Sequence, residues 1–521
     1  MQKRSIKTLS VRIVGVLLLL LMLASMAVWL YVRASLPLLD GRVRSTTLVS
    51  TVTLERDGHG VPLVTGLDRH DVAYVTGFVH AQERYFQMDL LRRVGGGELA
   101  ELFGAKAVNV DMARRRHRFR ARAALALVAM SADDRRFLER YAAGVNQGLT
   151  TLAAHPFEYK LLGVAPRAWT AADSLLVVCA MYFDLQGNLQ PRELARGWLS
   201  DHTTPEQRAV LLPESTPWDA MLDGDASAAL APIPATAPAW WGRAKSADAQ
   251  TVALGDALDA VGSNNWAIAG SRSKNGAAII ADDMHLGLQL PNIWYRLALQ
   301  FPDARGAQRR VVGVTLPGAP PVLVVGSNGR VAWGFTNSYG DYLDLVALGV
   351  DAARPGQVRT PAGWETPALH AETILVKGAP ARQLLVRESS FGPLREVQGK
   401  TYALHWLAHG PGALNLNARQ LETAATLTEA LDIANTLGIP QQNFVAGDDR
   451  GNIGWTIAGL LPRRTQPGDG ATFPLVVDGG QASFDGSLAP GEYPRLENPA
   501  SGQLSSANSR QLQGTGAQQI G

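Results

Sequence analysis

The sequence predicts an α+β protein, and three observations carry that prediction. From Asp68 to about Ala180, apolar residues recur at three- and four-residue spacing, as along "DRHDVAYVTGFVHAQERYFQMDLLRRV", the period of packed helices. Beyond Ser263 the pattern becomes short β-rich runs between turn residues, among them "NNWAIAG", "AAIIADD", "RVVGVTLPG" and "PVLVVGSNGRVAWGFT". Between the two, from about Asp219 to Gly262, lies a stretch rich in Ala, Pro and Ser with little periodicity.

The elements follow in order. "VRIVGVLLLLLMLASMAVWLYVR" carries no charge between Arg12 and Arg33, enough as a helix to cross a hydrocarbon layer of ~30 Å. Lys3, Arg4, Lys7 and Arg12 precede it, which keeps that end in the cytoplasm and puts the body outside, in a periplasm or beyond. Residues 1–35 are thus a membrane anchor, or a signal segment cut near "ASMA", with the uncut anchor favoured. "LVSTVTLERDGHGVPLVTG" then reads as two strands about an Asp57-Gly58 turn. It opens a mainly helical region, 36–219, in which "SADDRRFLERYAAGVNQGL" starts with a Ser cap before an acidic turn. Residues 220–262 are a linker or a removable spacer, and 263–521 form the sheet-rich part.

Composition narrows the function. With 521 residues, 46% of them hydrophobic, the chain has ample core material. A net charge of +3 without a long basic stripe argues against nucleic-acid binding, and Arg114–Arg120 reads as a solvated helix face. The single cysteine, Cys179, sits in "LLVVCAMYF", where packing is its expected role and neither a disulfide nor a multi-Cys zinc site can form. No G-x-S-x-G or H-E-x-x-H occurs. "SRSK" at 271–274 fits S-x-x-K but lacks its companion motifs and reads as a polar turn. His80 and Glu98 read as packing and hydrogen-bonding residues.

The Gly262-Ser263 step, alone, is a turn. If the bond before Ser263 is cut, its hydroxyl gains its own α-amine as general base, with an unperturbed pKa of roughly 7.7–8.0. Gly262 suits the residue before such a bond, because the missing side chain tolerates a strained turn. "GSNNWAIAGSRSKNGAAIIADDMHLGLQLPNIWY" resembles the mature β-chain start of the penicillin acylase family, N-terminal-nucleophile amidohydrolases made as one precursor. "DGHGVPLVTGLDRHDVAYVTGFVHAQERYFQMDLLRRVGGGELAELFG" is similar to the start of the family's α chain, and the order of segments agrees.

This resemblance implies a four-layer αββα core of the N-terminal-nucleophile type, with the helix-rich α-chain-like part around it and a β-like part that is incomplete at 521. It implies Ser263 as nucleophile, the backbone N–H of Asn337 and the side chain of Asn443 as oxyanion donors, and His285 beside the nucleophile's amine. Arg464, or else Arg463, matches an arginine near the oxyanion Asn. Leu286 would line an acyl pocket. A structural Ca²⁺ is implied at Glu193, Asp341, the Leu343 carbonyl and Asp344, oxygen donors suited to a hard cation. The implied reaction is hydrolysis of a small-molecule acyl amide, penicillin-like or another N-acyl compound, after self-cleavage into α and β fragments. The alternatives are an acylase of N-acyl homoserine lactones or lipopeptides, or an uncut membrane-anchored chain with a binding or structural role.

Overall fold

The computed structural model describes residues 2–213, 215–216, 219, 221–224, 230–241, 262–464, 472–476 and 483–520. The expected linker or spacer at 220–262 lies for the most part outside the described residues. The chain is α+β, with helices concentrated before residue 212 and strands after 263.

The first helix, Gln2–Ala34, contains a 24-residue span, Val11–Ala34, with mean hydropathy 2.7 and no residue of its most apolar window buried. Length and composition allow it to cross a membrane, or to be a signal sequence. The hairpin read at 53–65 forms, with Thr53–Arg56 antiparallel to Pro62–Thr65.

The Arg69–Gly96 helix starts at Asp68, whose carboxylate accepts from the N–H groups of His70 and Asp71, and ends at Gly97 in the left-handed region (φ 64°). Much of it is buried, its polar members included: Asp89 pairs with Arg92 and Arg93 inside the protein, and His80 is fully enclosed. The Ala132–Thr151 helix, capped by Ser131 as expected, crosses it at very close range. A Cβ at Gly144 would lie 1.8 Å from the Tyr74 carbonyl oxygen, so only glycine permits the crossing. The third long helix, Ala171–Gln186, begins with a capping box between Thr170 and Asp173 and buries Cys179.

The nine-stranded sheet runs in the order Thr53–Arg56, Pro62–Thr65, Tyr295–Pro302, Gln308–Thr315, Val325–Ser327, Val331–Asn337, Gln442–Asp448, Ile453–Ala458 and Arg495–Glu497. Segments before and after residues 220–262 therefore share one sheet, joined where Pro62–Thr65 runs parallel to Tyr295–Pro302. One face packs on helices through Val64, Tyr74, Leu299, Trp333, Leu431 and Phe444. The other packs on a three-stranded sheet of Gln503–Ser506, Asn264–Ile268 and Ile279–Asp283, with Ala267, Val445, Trp455 and Leu504 between. The result is helix, sheet, sheet: successive layers of the core the sequence led us to expect. A six-stranded sheet, including Leu343–Leu348 and Lys400–Trp406, packs separately on the Ala171–Gln186 helix through Cys179, Leu345 and Trp406.

Candidate active site

The central strand of the three-stranded sheet positions Ser263. It precedes the Asn264–Ile268 strand and is 6% exposed, facing the last residue of Val331–Asn337. Its Oγ accepts from the backbone N–H of Asn337 at 3.0 Å and from Asn508 Nδ2 at 3.1 Å. Its own N–H donates to Asn508 Oδ1 at 2.7 Å, and Asn508 Nδ2 also donates to the Asn337 carbonyl at 2.9 Å. Asn508 thus binds both reacting atoms of Ser263 and the strand that supplies the Asn337 N–H. Sequence reasoning missed it: "SSANSRQ" carries no catalytic motif. It arrives through Gln503–Ser506, which pairs with Asn264–Ile268 so that Ser506 lies opposite Asn265.

The residue before the nucleophile is held as tightly. The Gly262 N–H donates to the His285 carbonyl at 3.0 Å. A Cβ on Gly262 would stand 2.8 Å from His285 Nε2 and 3.0 Å from Asn508 Oδ1, so a side chain there displaces two polar groups of the site. His285 Nδ1 lies 3.1 Å from the Asp283 carbonyl and 3.4 Å from its carboxylate. His285 and Asn337 are therefore both at Ser263, as the family pattern implies.

Asn443 is adjacent but turned elsewhere. Its strand pairs with Val331–Asn337 so that it faces Thr336. Its Nδ2 donates to the Ala507 carbonyl at 3.3 Å, and its Oδ1 accepts from Trp455 Nε1 at 3.2 Å. Arg464 is not brought to Ser263. Its guanidinium donates to the Asp341 carbonyl at 2.6 Å and to both Asp344 oxygens at 3.1 and 3.2 Å, and it faces Asp341 Oδ2 at 2.8 Å. Arg463 points outward toward Glu492 at 3.9 Å.

Around Arg464 stand the implied calcium ligands. Glu193 is buried, and both its oxygens accept from the Leu345 N–H, at 2.9 and 3.0 Å. Burial, with the charges of Asp341 and Asp344, raises the Glu193 pKa well above the carboxylate range. Burial pushes Asp341 upward too, against the pull of Arg464 and with a further push from Asp344. Among the described residues, no group of three or more His, Cys, Asp or Glu is placed to enclose a metal.

Asp282 is the second residue that sequence reasoning passed over. It lies opposite Asn265 in the inter-sheet layer, and a Cβ on Gly334 would sit 2.5 Å from its Oδ1. Burial pushes its carboxyl up to about 7, the Asp283 charge adding to this. His80 and Glu98 have the structural roles expected. His80 bridges Tyr141 Oη and Thr315 Oγ1 at 2.9 and 3.0 Å, and burial holds it neutral with its pKa lowered to about 3. Glu98 is buried, which alone would raise its pKa, yet Arg120 and Arg167 hold it at about 2.

A cavity of about 150 Å³ opens at Ser263. Leu185, Leu286, Trp294, Leu323, Phe335 and Ile439 are among its lining, and among the described residues no charged side chain contributes. Leu286 is thus where the resemblance puts it.

Comparison with known proteins gives the family. The family model for penicillin amidase matches residues 51–521. The chain belongs to the penicillin amidase family. It is 31% identical over 515 residues to the acyl-homoserine lactone acylase QuiP of Pseudomonas aeruginosa, covering 93% of this chain and 58% of that protein. It is 29% identical to the penicillin acylase 2 proenzyme of Pseudomonas sp. strain SE83 (92% and 61% covered) and 26% identical to penicillin G acylase of Escherichia coli (88% and 59%). The chain thus spans little more than half the length of these curated relatives. Among solved structures, a thermostable penicillin G acylase from Alcaligenes faecalis is similar at 27% identity with a TM-score of 0.40, over 47% of this chain and 43% of that one.

Proposed function

We propose that this family member cleaves itself at Gly262-Ser263 and then hydrolyses acyl amides through an acyl-enzyme on Ser263. The observation that supports this best is Ser263 Oγ, fixed by the Asn337 N–H and Asn508 at the mouth of an apolar cavity, directly after a glycine packed on His285. In self-cleavage, Oγ bonds to the Gly262 carbonyl carbon, the C–N bond breaks, and the Oγ proton passes to the Ser263 nitrogen. Water then hydrolyses the ester, leaving a free α-amine. In turnover that amine takes the Oγ proton as Oγ attacks the acyl carbonyl, and delivers it to the departing amine. Water, its proton taken by the same amine, then attacks the acyl-enzyme ester, and the acid leaves as Oγ regains the proton. The Asn337 N–H donates to the developing oxyanion, and Asn443 becomes the second donor by turning from Ala507.

The cavity's uncharged, apolar lining suits an aliphatic or aromatic acyl group and excludes a charged one. That favours both penicillin-type amides and acyl-homoserine lactones, the substrates that the relatives' names give for those proteins. A panel of acyl amides with graded chain length, the released acid measured by mass spectrometry beside Ser263→Ala, tests the reading. Acid released by the wild type alone supports it; none from any member contradicts it.

The body lies outside the cytoplasm, anchored by Val11–Ala34, and the two fragments stay together through the shared sheet. A structural Ca²⁺ at Glu193, Asp341, the Leu343 carbonyl and Asp344 is part of this reading. The oxygen chemistry of the donors and the buried charge of three carboxylates beside Arg464 support it, although the carboxylates do not enclose a metal site as they stand. A bound Ca²⁺ would neutralise that charge alongside Arg464. Metal analysis of the purified protein, with melting measured with and without chelator, tests it: metal-free protein with an unchanged Tm contradicts it.

A further inference from the structure

A row of polar side chains lies between the two sheets, directly behind the nucleophile. Residues two apart on a strand share a face, so Asn265 points between the sheets as Ser263 does. Ser506 lies opposite Asn265 on one neighbouring strand and Asp282 on the other. Across the layer, Thr336 and Asn443 stand opposite each other on paired strands of the larger sheet, where side chains share a face and touch. All but Asp282 are buried, Asn265 and Thr336 completely.

The supply of protons in this row fixes the direction of each hydrogen bond. The Asn265 amide nitrogen faces the Asp282 carboxyl, which leaves its Oδ1 to Ser506. Ser506 Oγ donates to that Oδ1 at 2.6 Å, and a hydroxyl has one proton to give. The 2.8 Å contact between the Thr336 and Ser506 hydroxyls is therefore donated by Thr336. The same Thr336 Oγ1 stands 3.4 Å from the Ala507 carbonyl, so its one proton has two acceptors within reach.

That carbonyl belongs to the peptide leading into Asn508, and it accepts from Asn443 Nδ2 at 3.3 Å. Gln511 Nε2 is 3.4 Å from it, but has nearer acceptors in the Ser509 carbonyl and hydroxyl, at 3.0 and 3.1 Å. When Asn443 turns toward an oxyanion, the carbonyl loses its amide donor. Thr336 is the group placed to replace it.

We propose that Thr336 is a positioning residue whose hydroxyl swings from Ser506 to the Ala507 carbonyl as Asn443 leaves that carbonyl. The swing releases the second oxyanion donor and keeps the Asn508 backbone held. Ser506 still donates to Asn265, so the row gives up a contact on a hydroxyl oxygen rather than leaving a carbonyl unpaired. The inference rests on the acyl-amide reading of Ser263, with Asn443 as its second oxyanion donor.

The test separates the transition state from the ground state with two probes of the self-cleaved enzyme. One is a hydrolysable acyl amide; the other is an alkylboronic acid, whose tetrahedral adduct on a serine Oγ presents an oxyanion-like oxygen. Thr336→Val removes the hydroxyl and keeps the shape. The boronate inhibition constant should rise and kcat should fall, each about tenfold, with KM and Tm unchanged, and Thr336→Ser should restore both. Unchanged boronate affinity, a loss expressed in KM, or no rescue by Thr336→Ser overturns the proposal. Should Thr336→Val fail to fold or to cut itself, a crystal structure of the wild-type boronate adduct decides. Asn443 Nδ2 on the boronate oxygen, with Thr336 Oγ1 within about 3 Å of the Ala507 carbonyl, is expected. Asn443 still on Ala507, or Thr336 still on Ser506, overturns the proposal. A wild type that hydrolyses no acyl amide and binds no boronate overturns the acyl-amide reading, and this inference with it.

Discussion

At the residue scale, the nucleophile's setting depends on a side chain distant in sequence. Asn508 supplies one acceptor to the Ser263 N–H and one donor to Oγ, so its truncation frees the hydroxyl to rotate away from the Gly262 carbonyl. Asn508→Ala is expected to slow self-cleavage at least about tenfold, followed by intact mass over time, with the fold intact by circular dichroism. An unchanged rate would remove Asn508 from the site. Asp282 makes a pH-dependent contribution of definite sign. Its folded pKa of about 7 lies above the unfolded value, so the folded state binds more protons between about pH 4 and pH 7. Stability is therefore lost as pH rises through that window. Asp282→Asn in the uncut Ser263→Ala background should stabilise at pH 8, by at most about 4 kcal/mol, and flatten the pH dependence of urea unfolding. A variant less stable than its parent at pH 8 would contradict this. Ser263, His285 and Asn337 were legible because each sits in a run with family-like spacing. Asn508 and Asp282 were not, because strand pairing alone brings them to the site.

At the element scale, periodicity marked the helical stretch from Asp68 to about Ala180 and a minority of the strands, missing helices such as Leu189–His202 and Leu427–Ala434, and turn chemistry marked the 53–65 hairpin. It could not show that Pro62–Thr65 would run parallel to Tyr295–Pro302, since pairing over that distance leaves no local trace. The same limit explains Arg464. Following the family pattern along the chain puts it near Asn443, but the Pro462–Arg464 strand turns it into the carboxylate cluster at Asp341 and Asp344. The helix crossing yields a prediction of its own. Gly144→Ala puts a Cβ 1.8 Å from a backbone oxygen, and the Arg69–Gly96 and Ala132–Thr151 helices must separate to accept it. The expected cost is about 1–3 kcal/mol, read as a lower Tm in the uncut background. An unchanged Tm would mean that the crossing is looser than described.

At the scale of the whole molecule, the segments on either side of residues 220–262 form one sheet, and Ser263 lies where that sheet meets the smaller one. This arrangement allows the chain to be cut without falling apart: the backbone is severed, but the Pro62–Thr65 pairing and the helix packing remain. Everything in this account depends on one bond being broken. The most direct measurement is therefore the intact mass and N-terminal sequence of the fragments from the purified full chain, beside Ser263→Ala. Two fragments in the wild type, the second beginning at Ser263, and one uncut chain in the variant are the predicted result. A wild type that stays whole, or is cut at any other bond, would contradict the account.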